Sequence, residues 1–101
     1  MRRNTINGLI SKTVPTGIGK ERAVMEKKVY ELLNDQINKE FYSAYLYLSF
    51  ADYYEEEGLS GFANWYEIQA QEERDHALIL RNYLHENGCK VKLGAIAQPD
   101  L

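Results

Sequence analysis

A glutamate and a histidine three residues apart, Glu73 and His76, have the types and spacing that bind a metal ion. Residues three apart on a helix project from the same face, so a carboxylate oxygen and an imidazole nitrogen can reach one ion there. This ligand mixture suits iron or manganese, whereas a structural zinc site more often uses thiolates. In a chain this rich in glutamate the pair can also arise by chance, so the spacing needs support from elsewhere in the sequence.

Glu40 supplies that support, because it interrupts an otherwise apolar helix face. It follows Ile37 by three residues and precedes Ala44 and Tyr47 by four and seven, which is the spacing of one helical face. An ionised carboxylate buried without compensation costs several kcal/mol. The position therefore predicts a nearby cation, a basic partner or a protonated carboxyl group.

Two predicted helices would bring these side chains together. Apolar residues recur every three or four positions over about 26–54 and again over about 61–86, without an internal proline. Ser60 could cap the second helix with its side-chain oxygen, and Gly88 could end it. The connection around Gly58 is so short that the helices must be antiparallel neighbours. The sequence therefore predicts an all-α fold, an antiparallel αα-hairpin.

The predicted hairpin occupies 25–88, and the segments on either side lack a helical period. Residues 1–24 hold five basic residues and one acidic residue among Gly, Thr and Pro, which predicts a flexible basic leader. Residues 89–101 contain Gly94 and Pro99. We interpret them as the start of a crossover loop or as a disordered tail.

Composition excludes several classes of partner. Residues 25–101 carry 14 acidic and seven basic residues, a balance that argues against nucleic-acid binding and is compatible with attracting cations. No apolar run approaches the roughly 20 residues of a membrane helix. Cys89 is the only cysteine, so no intrachain disulfide can form. These features predict a cytoplasmic protein with no nucleic-acid or membrane partner.

Two stretches, VYELLNDQINKEFYSAYLYLSFADYY and GFANWYEIQAQEERDHA, resemble the first two helices of bacterial non-haem ferritin over most of residues 29–87. The match is long and specific. The resemblance implies a hairpin equal to half of a ferritin-like four-helix bundle. It also implies iron storage and detoxification by a ferroxidase, which oxidises Fe(II) to Fe(III) with dioxygen at a carboxylate-bridged di-iron centre.

The resemblance further implies roles for single residues. It makes Glu40 a terminal iron ligand, Glu73 the bridging carboxylate and His76 the imidazole ligand of the first iron. Tyr47 resembles the tyrosine beside that centre, which in the family can give up an electron during oxygen reduction, although it could simply be a core aromatic. Glu72 resembles a ligand of an accessory third iron, although exposed helical glutamates are usually only solvated.

A ferritin subunit has four long helices, and this sequence resembles the family over two of them. We therefore expect the hairpin to pair with a second copy, as a homo-oligomer of at least a dimer. Two copies of Glu40, Glu73 and His76 would give four carboxylates and two imidazoles, a complete di-iron ligand set. A truncated or split gene product is the alternative.

Three functions remain open on the sequence. The first is the ferroxidase. The second is another di-iron oxidoreductase, such as a rubrerythrin-like peroxidase, for which the sequence offers no cysteine cluster. The third is a non-catalytic helical assembly module or inactive truncated ferritin, in which Glu40 and His76 pair with each other or with partner residues. Trp65 and the tyrosines other than Tyr47 are interpreted as packing residues.

Overall fold

The computed structural model describes residues 25–100, so the predicted leader at 1–24 lies outside the described residues. Within this range the chain forms two helices and no strand: α1 is Lys27–Glu56 and α2 is Ser60–Glu86. Three residues connect them, and the helices pack against each other along a body of 56 × 24 × 17 Å. The predicted all-α fold, an antiparallel αα-hairpin, is confirmed.

Both helices end at a glycine with a left-handed backbone. Gly58 has φ 74° and Gly88 has φ 71°, a conformation that other residues adopt only with strain. In each case the amide after the glycine donates to a carbonyl in the last helical turn. The two bonds are Leu59 N to Tyr54 O, 2.8 Å, and Cys89 N to Leu84 O, 2.9 Å.

The start of α2 corrects the predicted cap. Ser60 is already the first helical residue, while Leu59 occupies the N-cap position and makes no side-chain cap hydrogen bond. The reason is the tightness of the turn. The Leu59 amide closes α1 by donating to Tyr54 O, and its carbonyl at once accepts the Ala63 amide of α2 at 3.0 Å. Leu59 therefore belongs to both helix ends, and the Ser60 prediction is wrong by one residue.

The two ends of the hairpin have different interiors. At the end where α1 begins and α2 finishes, buried and mostly aliphatic side chains form the core, which we call the aliphatic end: Leu33, Ile37, Ala77, Leu80, Tyr83 and Leu84. Around the turn, rings in mutual contact form what we call the aromatic end: Tyr47, Phe50, Tyr53, Tyr54, Phe62, Trp65 and Tyr66. The candidate metal ligands lie between the two.

Residues 89–100 form neither helix nor strand, yet they are hydrogen bonded along α1. The side-chain nitrogen Nδ2 of Asn34 donates to Lys92 O at 3.0 Å, and Lys92 N donates back to Asn34 Oδ1 at 2.9 Å. One turn later Asn38 donates to Lys92 O at 3.1 Å and accepts from Gly94 N at 2.7 Å. Two asparagine side chains thus bind the segment through its backbone and direct it along α1.

Candidate metal centre

Glu40 of α1 meets Glu73 and His76 of α2 midway along the hairpin. One possible ligand atom from each residue lies within 4.8 Å of the other two. All three side chains are buried, with exposures of 0% for Glu40, 6% for Glu73 and 7% for His76. Within residues 25–100 no other group of three such side chains has this arrangement.

The distances between His76 and the two carboxylates are those of ligands around a shared ion rather than those of direct hydrogen bonds. His76 Nδ1 lies 3.8 Å from Glu40 Oε1 and 3.8 Å from Glu73 Oε2, which is too long for a hydrogen bond. His76 Nδ1 is buried and has no hydrogen-bond partner among residues 25–100. Nitrogen and oxygen ligands lie about 2.0–2.2 Å from a bound metal, so two atoms that share an ion are up to about 4 Å apart. An ion therefore fits between His76 and either carboxylate.

A glutamine that sequence reasoning missed orients Glu40. Gln36 lies one helical turn earlier, and its side-chain amide donates to Glu40 Oε2 at 2.9 Å. The other carboxylate oxygen, Oε1, faces His76. One indication of this contact was present in the sequence, the spacing of four residues between Gln36 and Glu40, which makes them neighbours on one helical face. Because the donor is neutral, it positions the carboxylate without balancing its charge.

The charge of the cluster favours a cation. Two carboxylates buried side by side are costly, and one imidazole can offset at most one negative charge even when protonated. A divalent cation would offset both and would satisfy oxygen and nitrogen lone pairs together. The Glu40, Glu73 and His76 cluster thus has the composition, burial and spacing of a binding site for a metal of the iron or manganese type.

The other two candidate site residues lie outside the cluster. Tyr47 is half-buried and belongs to the aromatic end, with its ring centroid 6.1 Å from that of Phe50 and 6.0 Å from that of Tyr66. It follows Glu40 by seven residues, about 10.5 Å along the helix axis. Glu72 is exposed. The roles that the resemblance implies for Tyr47 and Glu72 remain predictions.

Comparisons with known proteins agree with this fold. Residues 30–101 match the family model of the ferritin-like domain. The chain is 36% identical over 78 residues to a bacterial non-heme ferritin of Staphylococcus aureus (strain USA300) and 40% identical over 77 residues to that of Bacteroides fragilis (strain 638R). These matches cover 77% and 76% of this chain but only 47% and 45% of the relatives, so the chain spans about half their length.

Solved structures give the same result. An engineered closed form of the Archaeoglobus fulgidus ferritin matches with a TM-score of 0.73 and 48% identity, over 76% of this chain and 47% of that one. The open pore ferritin of the same organism matches with a TM-score of 0.72 and 49% identity, over 74% and 46%.

The described residues thus define a helical hairpin with a buried candidate metal site of two carboxylates and an imidazole. The chain belongs to the ferritin-like domain family. The resemblance to the first two ferritin helices is confirmed.

No helix within residues 25–100 combines the length and the apolar character of a membrane span. The cytoplasmic location and the lack of a nucleic-acid partner stay predictions from composition.

Proposed function

We propose that this chain carries out the ferroxidase step of iron storage and detoxification, the oxidation of Fe(II) to Fe(III) by dioxygen. The observation that carries the proposal is the buried Glu40, Glu73 and His76 cluster, whose ligand atoms lie within 4.8 Å of one another. Membership of the ferritin-like family supports iron as the metal. Two Fe(II) ions give one electron each to dioxygen, which takes up two protons and becomes hydrogen peroxide.

The proposed roles are those that the resemblance to ferritin implies, and the positions of the side chains are compatible with them. Glu73 and His76 project from one face of α2 and hold the first iron, with Glu73 bridging to the second. Glu40, fixed by Gln36, is a terminal ligand from α1. Hard carboxylate oxygens stabilise Fe(III) relative to Fe(II) and so favour oxidation. Exposed Glu72 would serve as an accessory ligand for a third iron.

A single hairpin offers two carboxylates and one imidazole, whereas ferritin-like di-iron sites use four carboxylates and two imidazoles. We propose that a second copy, related by a twofold axis, supplies the other half. Exposed apolar side chains on both helices support this pairing: Leu32 of α1 is 58% exposed, and Ile79 of α2 is 49% exposed. Monomeric proteins seldom leave such a face uncovered.

The ferroxidase proposal is tested by mixing Fe(II) with the protein under air and following the ferric absorbance. Glu73→Ala should lower the initial rate by about tenfold or more. Loss of a residue that only hydrogen bonds to a metal ligand already costs about tenfold, and loss of the ligand itself should cost at least as much. Glu67→Ala removes an exposed glutamate from the same helix and should leave the rate unchanged. A Glu73→Ala protein that oxidises Fe(II) at the wild-type rate contradicts the site.

Two further results would favour the rival functions. Turnover of hydrogen peroxide without accumulation of ferric mineral would favour the rubrerythrin-like peroxidase. Equal thermal stability with and without Fe(II) under anaerobic conditions would favour the assembly module, because a ligand that binds the folded state must stabilise it.

The pairing proposal is tested by the molar mass in solution together with the number of irons bound per chain. A dimer that binds one iron per chain is expected, since two half-sites then form one di-iron centre. A monomer that binds two irons would contradict the pairing while leaving the ferroxidase proposal intact.

A further inference from the structure

Four tyrosine rings form a continuous series from the middle of the hairpin to its turn. The ring centroids of Tyr47 and Tyr66 are 6.0 Å apart, and those of Tyr66 and Tyr54 are 5.6 Å apart with the rings nearly parallel. Tyr54 and Tyr53 follow at 5.2 Å. We call Tyr47, Tyr66, Tyr54 and Tyr53 the tyrosine series. Since aromatic packing needs no hydroxyl group, four phenols in succession call for an explanation beyond packing.

The two ends of the tyrosine series lie in different environments. Tyr47 is half-buried and lies two helical turns after Glu40, and long helical side chains lean back towards the preceding turn, here towards the metal cluster. Tyr53, at the other end, is 54% exposed. The acidic residues 55–57, which follow at once, are exposed and attract cations to this part of the surface.

We propose that the tyrosine series conducts electrons from Fe(II) in solution at the hairpin turn to the dioxygen that is reduced at the metal cluster. This inference rests on the proposed ferroxidase function. Phenols are suited to the task because each can lose one electron and its hydroxyl proton to form a neutral tyrosyl radical. Phenols in contact have similar potentials, so the radical can pass along them without a large energetic barrier.

The complete reduction of dioxygen to two molecules of water takes four electrons and four protons. Two Fe(II) ions in the paired di-iron centre give one electron each to dioxygen, which takes up two protons and becomes hydrogen peroxide. Hydrogen peroxide needs two more electrons and two more protons to become two molecules of water.

Tyr47 supplies one electron and one proton when its O–H bond breaks. The radical then passes through Tyr66 and Tyr54 to Tyr53, as each phenol gives an electron to the one before it. Each of these three phenols releases its hydroxyl proton to water when it is oxidised, and every phenol of the series takes up a proton from water when it is reduced again. At Tyr53 an Fe(II) ion in solution donates an electron and becomes Fe(III), and water restores the proton. Two such passages complete the reduction.

The stoichiometry of the reaction tests this inference. The wild-type protein should oxidise four Fe(II) per dioxygen and release little hydrogen peroxide. Tyr66→Phe, which keeps the ring and removes the phenol, should fall towards two Fe(II) per dioxygen and release peroxide. Tyr45→Phe makes the same change at a tyrosine that is 49% exposed and outside the series, and it should behave as wild type.

A spectroscopic readout separates electron transfer from packing. After rapid mixing with Fe(II) and oxygen, electron paramagnetic resonance should show a tyrosyl signal that lasts several-fold longer in Tyr66→Phe than in wild type and is absent from Tyr47→Phe. Equal binding of Fe(II) by Tyr66→Phe and wild type under anaerobic conditions shows that the fold and the cluster of the variant are intact.

The possible failures are distinguishable. If wild-type protein does not oxidise Fe(II) rapidly, the proposed function and the inference fall together. If wild type oxidises Fe(II) but Tyr66→Phe keeps the wild-type stoichiometry and radical lifetime, the ferroxidase stands and the electron route alone is wrong.

Discussion

The same two helices build a closed interior at the aliphatic end and an open one at the aromatic end. The aliphatic end buries four large side chains completely, each 0% exposed: Leu33, Ile37, Leu80 and Leu84. Towards the turn the buried apolar residues are alanines, such as Ala63. The small alanines allow the helices to approach, and the rings lie half-buried or exposed around them. The difference indicates that the aliphatic end contributes more to the stability of the hairpin, while the rings of the aromatic end stay partly accessible to solvent.

Truncation of a leucine at the aliphatic end should have the largest effect on stability. Leu80→Ala removes a fully buried side chain from the seam, and such changes cost about 2–5 kcal/mol. Phe62→Ala at the aromatic end should cost clearly less, because Phe62 is 59% exposed. Denaturant unfolding of both variants measures the two free energies. Equal losses would show that the two ends contribute alike.

The metal cluster between the ends should couple iron binding to stability. At Fe(II) concentrations a hundredfold above the dissociation constant, wild-type protein should gain about 2.7 kcal/mol under anaerobic conditions. Glu40→Gln should lose most of this gain, because an amide is a poor substitute for a carboxylate ligand. Thermal unfolding with and without Fe(II) gives the comparison. Glu31→Gln, an exposed change on the same helix, should keep the gain.

The attachment of residues 89–100 to α1 should depend on Asn34. This side chain is 7% exposed and makes two hydrogen bonds to the backbone of Lys92. Asn34→Ala removes both hydrogen bonds and leaves Lys92 O with the bond from Asn38, so the loss should be that of two ordinary hydrogen bonds, about 1–3 kcal/mol. Hydrogen exchange at the Lys92 amide should accelerate together with the loss of stability. Slow exchange in the variant would show that other contacts hold the segment.

The smallest expected effect on stability is at the turn of the aromatic end, where two glycines, Gly58 and Gly61, lie three residues apart. Gly58→Ala should destabilise by about 1 kcal/mol, because its φ of 74° strains any side chain. Gly61 lies inside α2 with nothing within 4 Å of an added Cβ, so Gly61→Ala should be neutral or stabilise slightly. The melting temperature of Gly58→Ala should therefore fall, whereas that of Gly61→Ala should stay the same or rise slightly. A matching loss in both variants would contradict the role of the left-handed backbone.

Much of the fold could be predicted because it depends on local pattern. The apolar spacing that includes Leu33, Ile37 and Leu80 marked the two helices, and Gly58 and Gly88 marked their ends. Glu40, Glu73 and His76 could be grouped because a short connection forces two long helices to be neighbours. These inferences needed only the helical period, the chemistry of glycine and the cost of a buried carboxylate.

Other features could not be read from the sequence because they depend on contacts between distant residues. Asn34 and Asn38 looked like ordinary polar helix positions, yet they bind backbone groups 54–58 positions further along the chain. The tyrosine series was likewise invisible, since its central ring, Tyr66, lies on α2 and the other three lie on α1. Each of these features exists only once the helices are packed.

The sequence by itself determined a helical hairpin of the ferritin-like family with two carboxylates and an imidazole on its inner faces. Helical periodicity and side-chain chemistry act over a few residues, and they suffice for that conclusion. Only the tertiary structure decided that the ligand atoms lie within 4.8 Å of one another, that Gln36 orients Glu40 and that four tyrosine rings lie in contact in one series. Distances between helices depend on how alanines, leucines and rings pack together, and no local pattern encodes that packing.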